Sequence, residues 1–398
     1  MGQIINKKLG GKNLIYFDNA STTYYKPKEV IESTIFAMKN TGNNGRGINE
    51  ISINTSRDIF NVREKFIKLF NGYDSRNIVF TSNATESLNT VISGLFSSED
   101  HVITTEAEHN SVLRPLYKLR ETGLGITFLK IDEVIKFNKN DMKKYLEKNT
   151  KAIICTHASN LTGDLLDIKN IGEFCEENNL IFILDASQSL GIIPIDVEKY
   201  KIDILCFTGH KGLMGPQGTG GIYIKEGIDV KPLKVGGSGV DTYNERHPIT
   251  MPEKLEAGTL NGHGIIGLGA AIDFINEKGI KKIYIKENNL MWKFYEGIKD
   301  IKGIKIYGHF MEKNIKVDRI PILTLNINDI DSGDICSILD EEYNIVTRAG
   351  GHCAPLMHKA LGTEKQGSVR FSFSYFNTEK EVEKAIFALK KIAQEVDI

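Results

Sequence analysis

The sequence Ile-Leu-Cys-Phe-Thr-Gly-His-Lys-Gly-Leu-Met-Gly-Pro-Gln-Gly-Thr-Gly-Gly occupies positions 204–221 and indicates the fold around it. Its apolar beginning is typical of a buried strand, and its glycine-rich remainder is typical of a loop. Lysine is rarely buried, so Lys211 is unusual at the point where the strand gives way to the loop. A lysine placed there would be partly desolvated, which favours the neutral amine, a usable nucleophile.

A second apolar run, Ile-Phe-Ile-Leu at 181–184, ends in Asp185. An aspartate and a lysine at the ends of two strands are what a pyridoxal phosphate (PLP) site requires, one for the ring nitrogen and one for the aldehyde carbon. Simpler interpretations exist for both residues. Asp185 could cap the next turn, and Lys211 could be a solvated loop lysine.

The composition is that of an ordinary globular protein, with 398 residues, 41% hydrophobic and 25% charged. This length favours two domains, or one large domain with a smaller partner. The formal net charge of −1 gives no reason to expect binding to nucleic acid or to an anionic membrane surface. No apolar run is long enough to span a bilayer, and the N-terminus lacks the apolar core of a signal peptide. We therefore expect a soluble, cytoplasmic protein.

The chain contains five cysteines, namely Cys155, Cys175, Cys206, Cys336 and Cys353. No two are close enough in sequence for a zinc or dithiol pair, so we expect neither a metal site nor a disulfide framework. Cys353 lies in Arg-Ala-Gly-Gly-His-Cys at 348–353, beside His352. This loop predicts a mobile, exposed thiol, and a neighbouring cation would favour its nucleophilic thiolate form. The alternative is a turn with an incidental cysteine.

Strand-like and helix-like segments alternate through the middle of the chain, which predicts a mainly parallel α/β sheet covered on both faces. The predicted strands there are 77–81, 101–105, 125–130, 152–156, 180–184, 202–207 and 221–225, and the predicted helices are 84–96, 110–122, 139–148 and 168–179. After a helical region beginning at about 261, helices at 281–300, 332–341 and 378–395 combine with strands at 323–327 and 368–372. We expect a large domain at 15–260 and a smaller α+β domain at 261–398, with residues 1–14 packed against the smaller domain.

Ligands of such sheets collect beyond the carboxyl ends of the strands. Polar residues expected at that edge are Ser82, His109, Asn160, Asp185 and Lys211. His109 could act on a ligand there, or it could be a satisfied structural residue.

Two further motifs each allow two interpretations. Ser-Asn-Ala-Thr-Glu-Ser at 82–87 could hold a phosphate at a helix start, although Asn83 and Glu86 also fit a capping box. Arg370 lies in Gly-Ser-Val-Arg-Phe-Ser-Phe at 367–373, which alternates like a strand. It could be a surface strand residue, or it could grip a carboxylate with two parallel hydrogen bonds.

Together these motifs resemble the class V aminotransferase group of fold-type I PLP enzymes, and more narrowly the cysteine desulfurase and selenocysteine lyase family. The resemblance runs from Tyr-Phe-Asp-Asn-Ala-Ser-Thr-Thr at 16–23 to Arg-Phe-Ser-Phe-Ser-Tyr-Phe-Asn-Thr at 370–378. The loop at 348–354 is similar to the compact Arg-x-Gly-x-His-Cys-Ala form of the type II (SufS-like) desulfurases. In that group a separate acceptor protein usually takes the sulfur from the persulfide.

The resemblance implies a role for each matching position. For the cofactor ring, it implies Lys211 at the aldehyde carbon, Asp185 at the ring nitrogen and Gln188 at the ring hydroxyl, with His109 stacked on the ring and active in proton transfer. For the phosphate, it implies Thr85, Thr208 and His210. Asn160 would lie near the cofactor oxygen and the substrate. Thr259 would complete the phosphate site of a neighbouring subunit, which implies a homodimer. Arg370 would bind the substrate carboxylate, and Cys353 would be the nucleophile that forms a persulfide.

Two positions depart from the family's pattern. Ala84 stands where many members carry a hydroxyl, and Gly351 stands where type II members often have a second histidine.

The implied function is PLP-dependent conversion of L-cysteine to L-alanine, with a persulfide on Cys353 that is passed to an acceptor protein. Selenocysteine lyase activity on L-selenocysteine, on the same scaffold, is the nearest alternative. A class V aminotransferase or β-lyase with Cys353 as a bystander is the second. A purely structural partner protein would leave the combination of Lys211, Asp185 and Arg370 unexplained.

Overall fold

The computed structural model describes residues 14–43 and 49–396. They form a large unit, Tyr25–Ser159 with Leu165–Lys281, and a small unit made of 14–24, Asn160–Asp164 and 282–396. The expected packing of residues 1–14 falls almost entirely outside the described residues. In the described ranges, no helix is both long enough and apolar enough to cross a bilayer.

The elements are numbered in chain order. The strands are β1 (Ile15–Tyr16), β2 (Ile78–Thr81), β3 (His101–Thr105), β4 (Gly125–Leu129), β5 (Thr150–Thr156), β6 (Ile181–Asp185), β7 (Ile204–Thr208), β8 (Gly220–Ile224), β9 (Ile304–Tyr307), β10 (Met311–Glu312), β11 (Ile315–Lys316), β12 (Ile322–Ile327), β13 (Ile345–Val346) and β14 (Val369–Ser372). The helices are α1 (Lys28–Asn40), α2 (Glu50–Phe70), α3 (Ala84–Leu95), α4 (Asn110–Arg120), α5 (Ile131–Ile135), α6 (Lys139–Met142), α7 (Ile168–Glu177), α8 (Gly262–Lys278), α9 (Ile280–Ile298), α10 (Ser332–Tyr343), α11 (Pro355–Leu361) and α12 (Glu379–Val396).

The large unit is built on a seven-stranded sheet with the order β2-β8-β7-β6-β5-β3-β4. Strand β8 is antiparallel to both of its neighbours, β2 and β7, and every other pair is parallel. All strands except β8 therefore run in one direction and end at the same edge of the sheet. The predicted mainly parallel α/β fold is confirmed, and each predicted strand of this region is present.

One predicted helix of the large unit is mostly wrong. The expected helix at 139–148 is reduced to α6, followed by a single 3₁₀ turn at Lys143–Tyr145. Met142 is buried, but none of residues 143–149 is. A short segment that buries so little apolar surface has too little stabilisation to continue as a helix.

Two glycines allow α8 to pack closely against α1 and α2. A Cβ atom at Gly267 would lie 2.2 Å from Thr34 Oγ1 in α1, and one at Gly269 would lie 2.6 Å from Val62 Cγ2 in α2. This packing places α8 in the large unit, which continues to Lys281.

The small unit combines a three-stranded antiparallel sheet, with the order β14-β12-β9, and a parallel pair of short strands, β1 and β13. Its apolar core contains Phe17, Phe294 and Phe371. Residues expected in the large domain join this unit through long-range pairings. Strand β1 pairs with β13, and Asp164 forms a buried ion pair with Arg319 at 3.3 Å.

A buried ion pair joins α2, β2 and the segment before α8. Arg63 donates two parallel hydrogen bonds to the Glu256 carboxylate, at 2.9 and 2.8 Å, and both side chains are almost fully buried. The backbone N–H of Phe80 in β2 donates to the same carboxylate at 2.6 Å. Burial raises the pKa of Glu256, and Arg63 opposes that shift. The pair therefore holds the segment just before Thr259 against α2 and β2.

We expect Arg63→Met to lower the free energy of unfolding by about 3–5 kcal/mol, because it leaves the Glu256 carboxylate buried without its partner. The matched control is Lys65→Met in the same helix, which removes an exposed ion pair to Asp273 at 2.6 Å and should cost at most about 1 kcal/mol. Urea denaturation monitored by circular dichroism measures both. Equal losses for the two variants would show that the buried pair contributes little.

Glu108 is a fully buried carboxyl group at the carboxyl ends of β3 and β5. It accepts hydrogen bonds from Thr105 Oγ1 at 2.5 Å and from the backbone N–H of Thr156 at 3.0 Å. Burial raises the pKa of Glu108 to about 8, and the nearby Asp185 carboxylate also acts to raise it. Glu108 is therefore mostly neutral at pH 7.

This pKa predicts a pH-dependent stability. The folded protein keeps the Glu108 proton up to about pH 8, whereas the unfolded chain loses it near the ordinary value of 4.5. The native state therefore loses stability as the pH rises through that window. Glu108→Gln has no proton to lose, so its stability relative to the wild type should increase from pH 5 to pH 8 and level off above. Thermal unfolding at several pH values measures this difference, and a difference that does not change with pH would contradict the expectation.

Candidate active site

The carboxyl edge of the large-unit sheet brings together the two residues that suggested PLP. Asp185 ends β6, and Lys211 closely follows the neighbouring parallel strand β7. Burial raises the pKa of the Asp185 carboxyl, whereas hydrogen bonds from Ser187 and the positive charge of Lys211 lower it. The two predicted residues therefore interact electrostatically at this edge.

The Asp185 carboxylate is held in a fixed orientation. Its Oδ1 accepts hydrogen bonds from the Ser187 backbone N–H at 2.9 Å and from Ser187 Oγ at 2.5 Å. The turn-capping interpretation of Asp185 is thus correct, and it is compatible with binding. A desolvated carboxylate is stabilised by a cation placed against it, so this group fits the protonated ring nitrogen of PLP.

The loop that carries Lys211 folds back onto the strand end. The Gly209 N–H donates to the Thr219 carbonyl at 2.8 Å, and a Cβ atom at Gly209 would lie 2.1 Å from Thr219 Oγ1. The expected close backbone approach at this glycine is confirmed. Lys26, which was not identified from the sequence, donates to the His210 carbonyl at 3.2 Å. Burial lowers the pKa of Lys26 to about 8 and, with the charges of Lys211 and Lys26, lowers that of His210 to about 4.

Ser111, also missed in the sequence, joins two predicted residues at the same edge. Its Oγ lies 2.8 Å from Thr85 Oγ1 and 2.9 Å from His109 Nδ1. Its backbone N–H donates to His109 Nδ1 at 3.0 Å, so His109 caps α4 and has the structural role that was one of its two interpretations. Thr85 lies in the first turn of α3, where Asn83 accepts from the Glu86 N–H at 2.9 Å, as the capping interpretation requires.

The other predicted cofactor residues of the large unit differ in exposure. Gln188 and Thr208 are buried near the ends of β6 and β7. Thr259 is exposed in a groove of about 510 Å³. No hydrogen bond connects Thr259 to another predicted site residue within the described part of the chain. Ala84, the departure at the start of α3, is buried.

The small unit carries Arg370, in β14. Only 1% of this residue is exposed, so its interpretation as a surface residue is wrong. Its guanidinium donates to Asp18 Oδ1 at 2.8 Å, to Ser21 Oγ at 2.8 Å and to the Asn160 carbonyl at 2.9 Å. Burial lowers the pKa of Arg370, and Asp18 opposes that shift.

Asn160 connects Arg370 to the cysteine loop. Its side-chain amide donates to the His352 carbonyl at 2.7 Å, while its own carbonyl accepts from Arg370. Its Oδ1 is buried, and no described residue donates a hydrogen bond to it. A buried acceptor without a protein donor fits a ligand that brings a donor, such as a hydroxyl group or an amine.

The loop at 348–353 exposes the Cys353 thiol, as predicted. His352 and Cys353 both adopt left-handed backbone conformations, with φ angles of 49° and 55°, which turn the chain sharply. His352 is buried, and burial together with the charge of Arg370 lowers its pKa to about 2. His352 is therefore neutral and cannot be the cation expected beside the thiol. A Cβ atom at Gly351 would meet no described atom within 4 Å, so a histidine would have space there.

The other cysteines lie in different surroundings. Cys155, Cys175 and Cys206 are buried and Cys336 is half-buried, and all are unpaired. Burial raises the pKa of each of these thiols, to about 11 for Cys336. In the part of the chain that the structure describes, no cluster of three or more histidine, cysteine, aspartate or glutamate residues is arranged to hold a metal ion.

Comparisons with known proteins identify the family of this chain. The model of the class-V aminotransferase family matches residues 15–385. A "Probable cysteine desulfurase" of Methanothermobacter thermautotrophicus is 35% identical over 385 residues, which cover 95% of this chain and 94% of the relative. One from Pyrococcus abyssi is 35% identical, with coverage of 96% and 95%. The apo structure of a cysteine desulfurase from Thermococcus onnurineus superposes with a TM-score of 0.87 at 32% identity, covering 96% of this chain and 95% of that one.

These matches extend over nearly the whole chain. The family model covers strand β6 with Asp185, the loop of Lys211 and the loop of Cys353. The chain belongs to the class-V aminotransferase family and, within it, to the family of the cysteine desulfurases.

Proposed function

We propose that this chain is a PLP-dependent cysteine desulfurase, which converts L-cysteine to L-alanine and leaves the sulfur as a persulfide on Cys353. The observation that carries the proposal is the buried Asp185 carboxylate at the end of β6, with Lys211 after the adjacent strand β7. The names of the relatives support the choice of reaction.

Several residues of the large unit would hold the cofactor. When bound, PLP would supply an aldehyde carbon for an amine and a protonated ring that accepts electron density. Asp185 would pair with the ring nitrogen, Lys211 would bond the aldehyde carbon, and Gln188 would contact the ring hydroxyl. His109 would lie against the ring, oriented by the cap that its Nδ1 makes on α4.

The phosphate would be bound by hydroxyls and by a helix start. Thr85 lies in the first turn of α3, where backbone N–H groups and the helix dipole favour an anion. Thr208 would add a hydroxyl, and His210, whose pKa is lowered to about 4, would donate one N–H as a neutral imidazole. The missing hydroxyl at Ala84 removes one possible contact.

The chemistry of sulfur removal would use four residues of this chain. Lys211, as a free amine, would remove the Cα proton of the substrate. Arg370 would bind the substrate carboxylate, and Asn160 would accept from the substrate or cofactor at its orphaned Oδ1. The Cys353 thiolate would attack the substrate sulfur, so that a sulfur–sulfur bond forms as the carbon–sulfur bond breaks. The carbon skeleton keeps that electron pair, takes up a proton and leaves as alanine.

The persulfide would then pass to an acceptor protein. Cys353 is exposed, and α11 begins two residues after it, so the loop is short, as in the type II desulfurases. The free cysteines fit a reducing compartment, which supports a cytoplasmic location.

An exposed apolar surface on the large unit supports a homodimer. Its side chains include Ile35, Phe36 and Met38 in α1 and Ile51 and Phe60 in α2, which are 45–65% exposed. Large apolar side chains grouped at a surface mark an interaction site. Thr259 is exposed as well, as a residue directed at a neighbouring subunit would need to be.

Replacement of Lys211 tests the cofactor site. We expect Lys211→Ala to lose the visible absorbance band of the lysine-bound cofactor and all release of alanine, because no other group bonds the aldehyde carbon. Lys225→Ala is the control, since this exposed lysine follows the reversed strand β8 and lies at the opposite edge of the sheet. Purified protein with no such band, or a Lys211→Ala variant that retains it, would contradict the proposal.

Replacement of Cys353 tests the choice of reaction. Cys353→Ser should keep the absorbance band and lose alanine release from L-cysteine, because no thiolate attacks the substrate sulfur. Cys336→Ser is the matched control, because its thiol is held protonated by burial and a serine can keep the contact to Thr347. Unchanged alanine release by Cys353→Ser would reject the persulfide role. Selenide release from L-selenocysteine by that variant would instead favour a selenocysteine lyase, and transfer of the amino group to a keto acid would favour an aminotransferase.

A further inference from the structure

The hydroxyl of Ser21 lies among two arginines and one aspartate of the small unit. Its Oγ accepts a hydrogen bond from Arg348 Nη1 at 2.7 Å and one from Arg370 Nη2 at 2.8 Å, and it donates to Asp18 Oδ1 at 2.7 Å. A hydroxyl has one proton and two lone pairs, so these bonds use its full capacity. Ser21 therefore fixes two guanidinium groups and one carboxylate in a single arrangement.

Backbone pairing brings these residues together from three distant segments. Asp18 forms a parallel bridge with Ser372, and Arg348 forms an antiparallel bridge with Arg370. Ser372 and Arg370 both belong to β14, whereas Asp18 lies two residues after β1 and Arg348 lies two residues after β13. The cluster is thus built on strands, and its geometry does not depend on a loop conformation alone.

The two arginines differ in their exposure and in the number of hydrogen bonds that they make to the protein. Arg370 is almost fully buried and donates to Asp18, Ser21 and Asn160. Arg348 is half-buried, and its guanidinium donates to Ser21. A carboxylate that approached the cluster would therefore find Arg348 the more accessible of the two arginines, while Arg370 is held by three hydrogen-bond partners.

The charges of the cluster leave one positive charge in excess, because Asp18 offsets one of the two arginines. Asp18 lies 2.8 Å from Arg370, and only 17% of its side chain is exposed, so this offset acts at close range and with little screening by solvent. One further carboxylate would neutralise this excess positive charge. A second one would bring excess negative charge into a partly desolvated site.

We propose that Ser21 and Asp18 are positioning residues for the substrate carboxylate, and that Asp18 restricts the site to amino acids with a single carboxylate. This inference rests on the proposed function and adds a determinant of substrate choice to it. Ser21 holds both guanidiniums in the orientation that a carboxylate requires, and Asp18 sets the net charge that the substrate must match.

The test of Ser21 is steady-state kinetics of alanine release from L-cysteine by the PLP-loaded protein. Ser21→Ala should raise KM about tenfold and change kcat by less than about threefold, because one hydroxyl-mediated contact to each arginine is lost while the reacting groups stay in place. Ser21→Thr should restore KM, since it keeps the hydroxyl. Ser337→Ala is the control, because Ser337 is exposed on α10. A Ser21→Ala variant with unchanged KM, or with reduced kcat alone, would overturn the positioning role.

The test of Asp18 is competitive inhibition by L-alanine, with one carboxylate, and by L-aspartate, with two. Asp18→Asn should strengthen inhibition by L-aspartate relative to L-alanine about tenfold, because the net charge of the cluster rises by one. A ratio equal to that of the wild type would overturn the selective role. Absence of alanine release by the wild type would contradict the proposed function, whereas normal wild-type turnover with unchanged Ser21→Ala and Asp18→Asn kinetics would contradict this inference alone.

Discussion

The direction of the strands in the large-unit sheet is the constraint on which the proposed cofactor site depends. Only β8 is reversed, so the other six strands end at one edge, and the polar residues that follow them have no other place to lie. Asp185 and Lys211 meet there because β6 and β7 are neighbours and parallel. Thr85 and His109 reach the same edge from β2 and β3, and Ser111 connects them. A reversal of any of these strands would move its residues to the opposite edge.

The same edge concentrates carboxyl groups, and burial decides which of them carries charge. Glu108 and Asp185 are both buried, and the negative charge of Asp185 helps to keep Glu108 protonated. Asp185 also receives two hydrogen bonds from Ser187 and the charge of Lys211, all of which favour its ionised form. Protonation of Glu108 leaves Asp185 as the carboxyl of the pair that would carry a negative charge, and that charge would match one protonated ring nitrogen. A second ionised carboxyl would leave an uncompensated charge in a desolvated place.

The features predicted correctly from the sequence are those that a short local pattern determines. Two apolar runs, one ending in Asp185 and one shortly before Lys211, correctly predict the ends of two strands. The glycines around Cys353 correctly predict an exposed thiol. Contacts between distant segments could not be predicted in this way. Ser111 meets Thr85 across 26 residues, and Arg370 meets Asp18 across 352. The extent of the large unit depends on such contacts too, since α8 packs closely against α1 and α2 at Gly267 and Gly269. The motif at 16–23 resembles that of the family, but its residue pattern does not indicate that Ser21 bridges two arginines.

In each unit, the balance of buried charges is set close to the proposed binding residues. In the large unit, protonation of Glu108 leaves Asp185 as the carboxyl that would carry a negative charge. In the small unit, Asp18 offsets one of two arginines and leaves a single positive charge beside Ser21. Near the exposed thiol, burial and the charge of Arg370 keep His352 neutral, so that histidine adds no further positive charge. The proposed carboxylate position of the small unit thus retains one unbalanced charge, opposite in sign to the group that it would hold. Since a desolvated charge is costly until it is paired, the binding of the matching ligand group would be favoured over that of a neutral or doubly charged one.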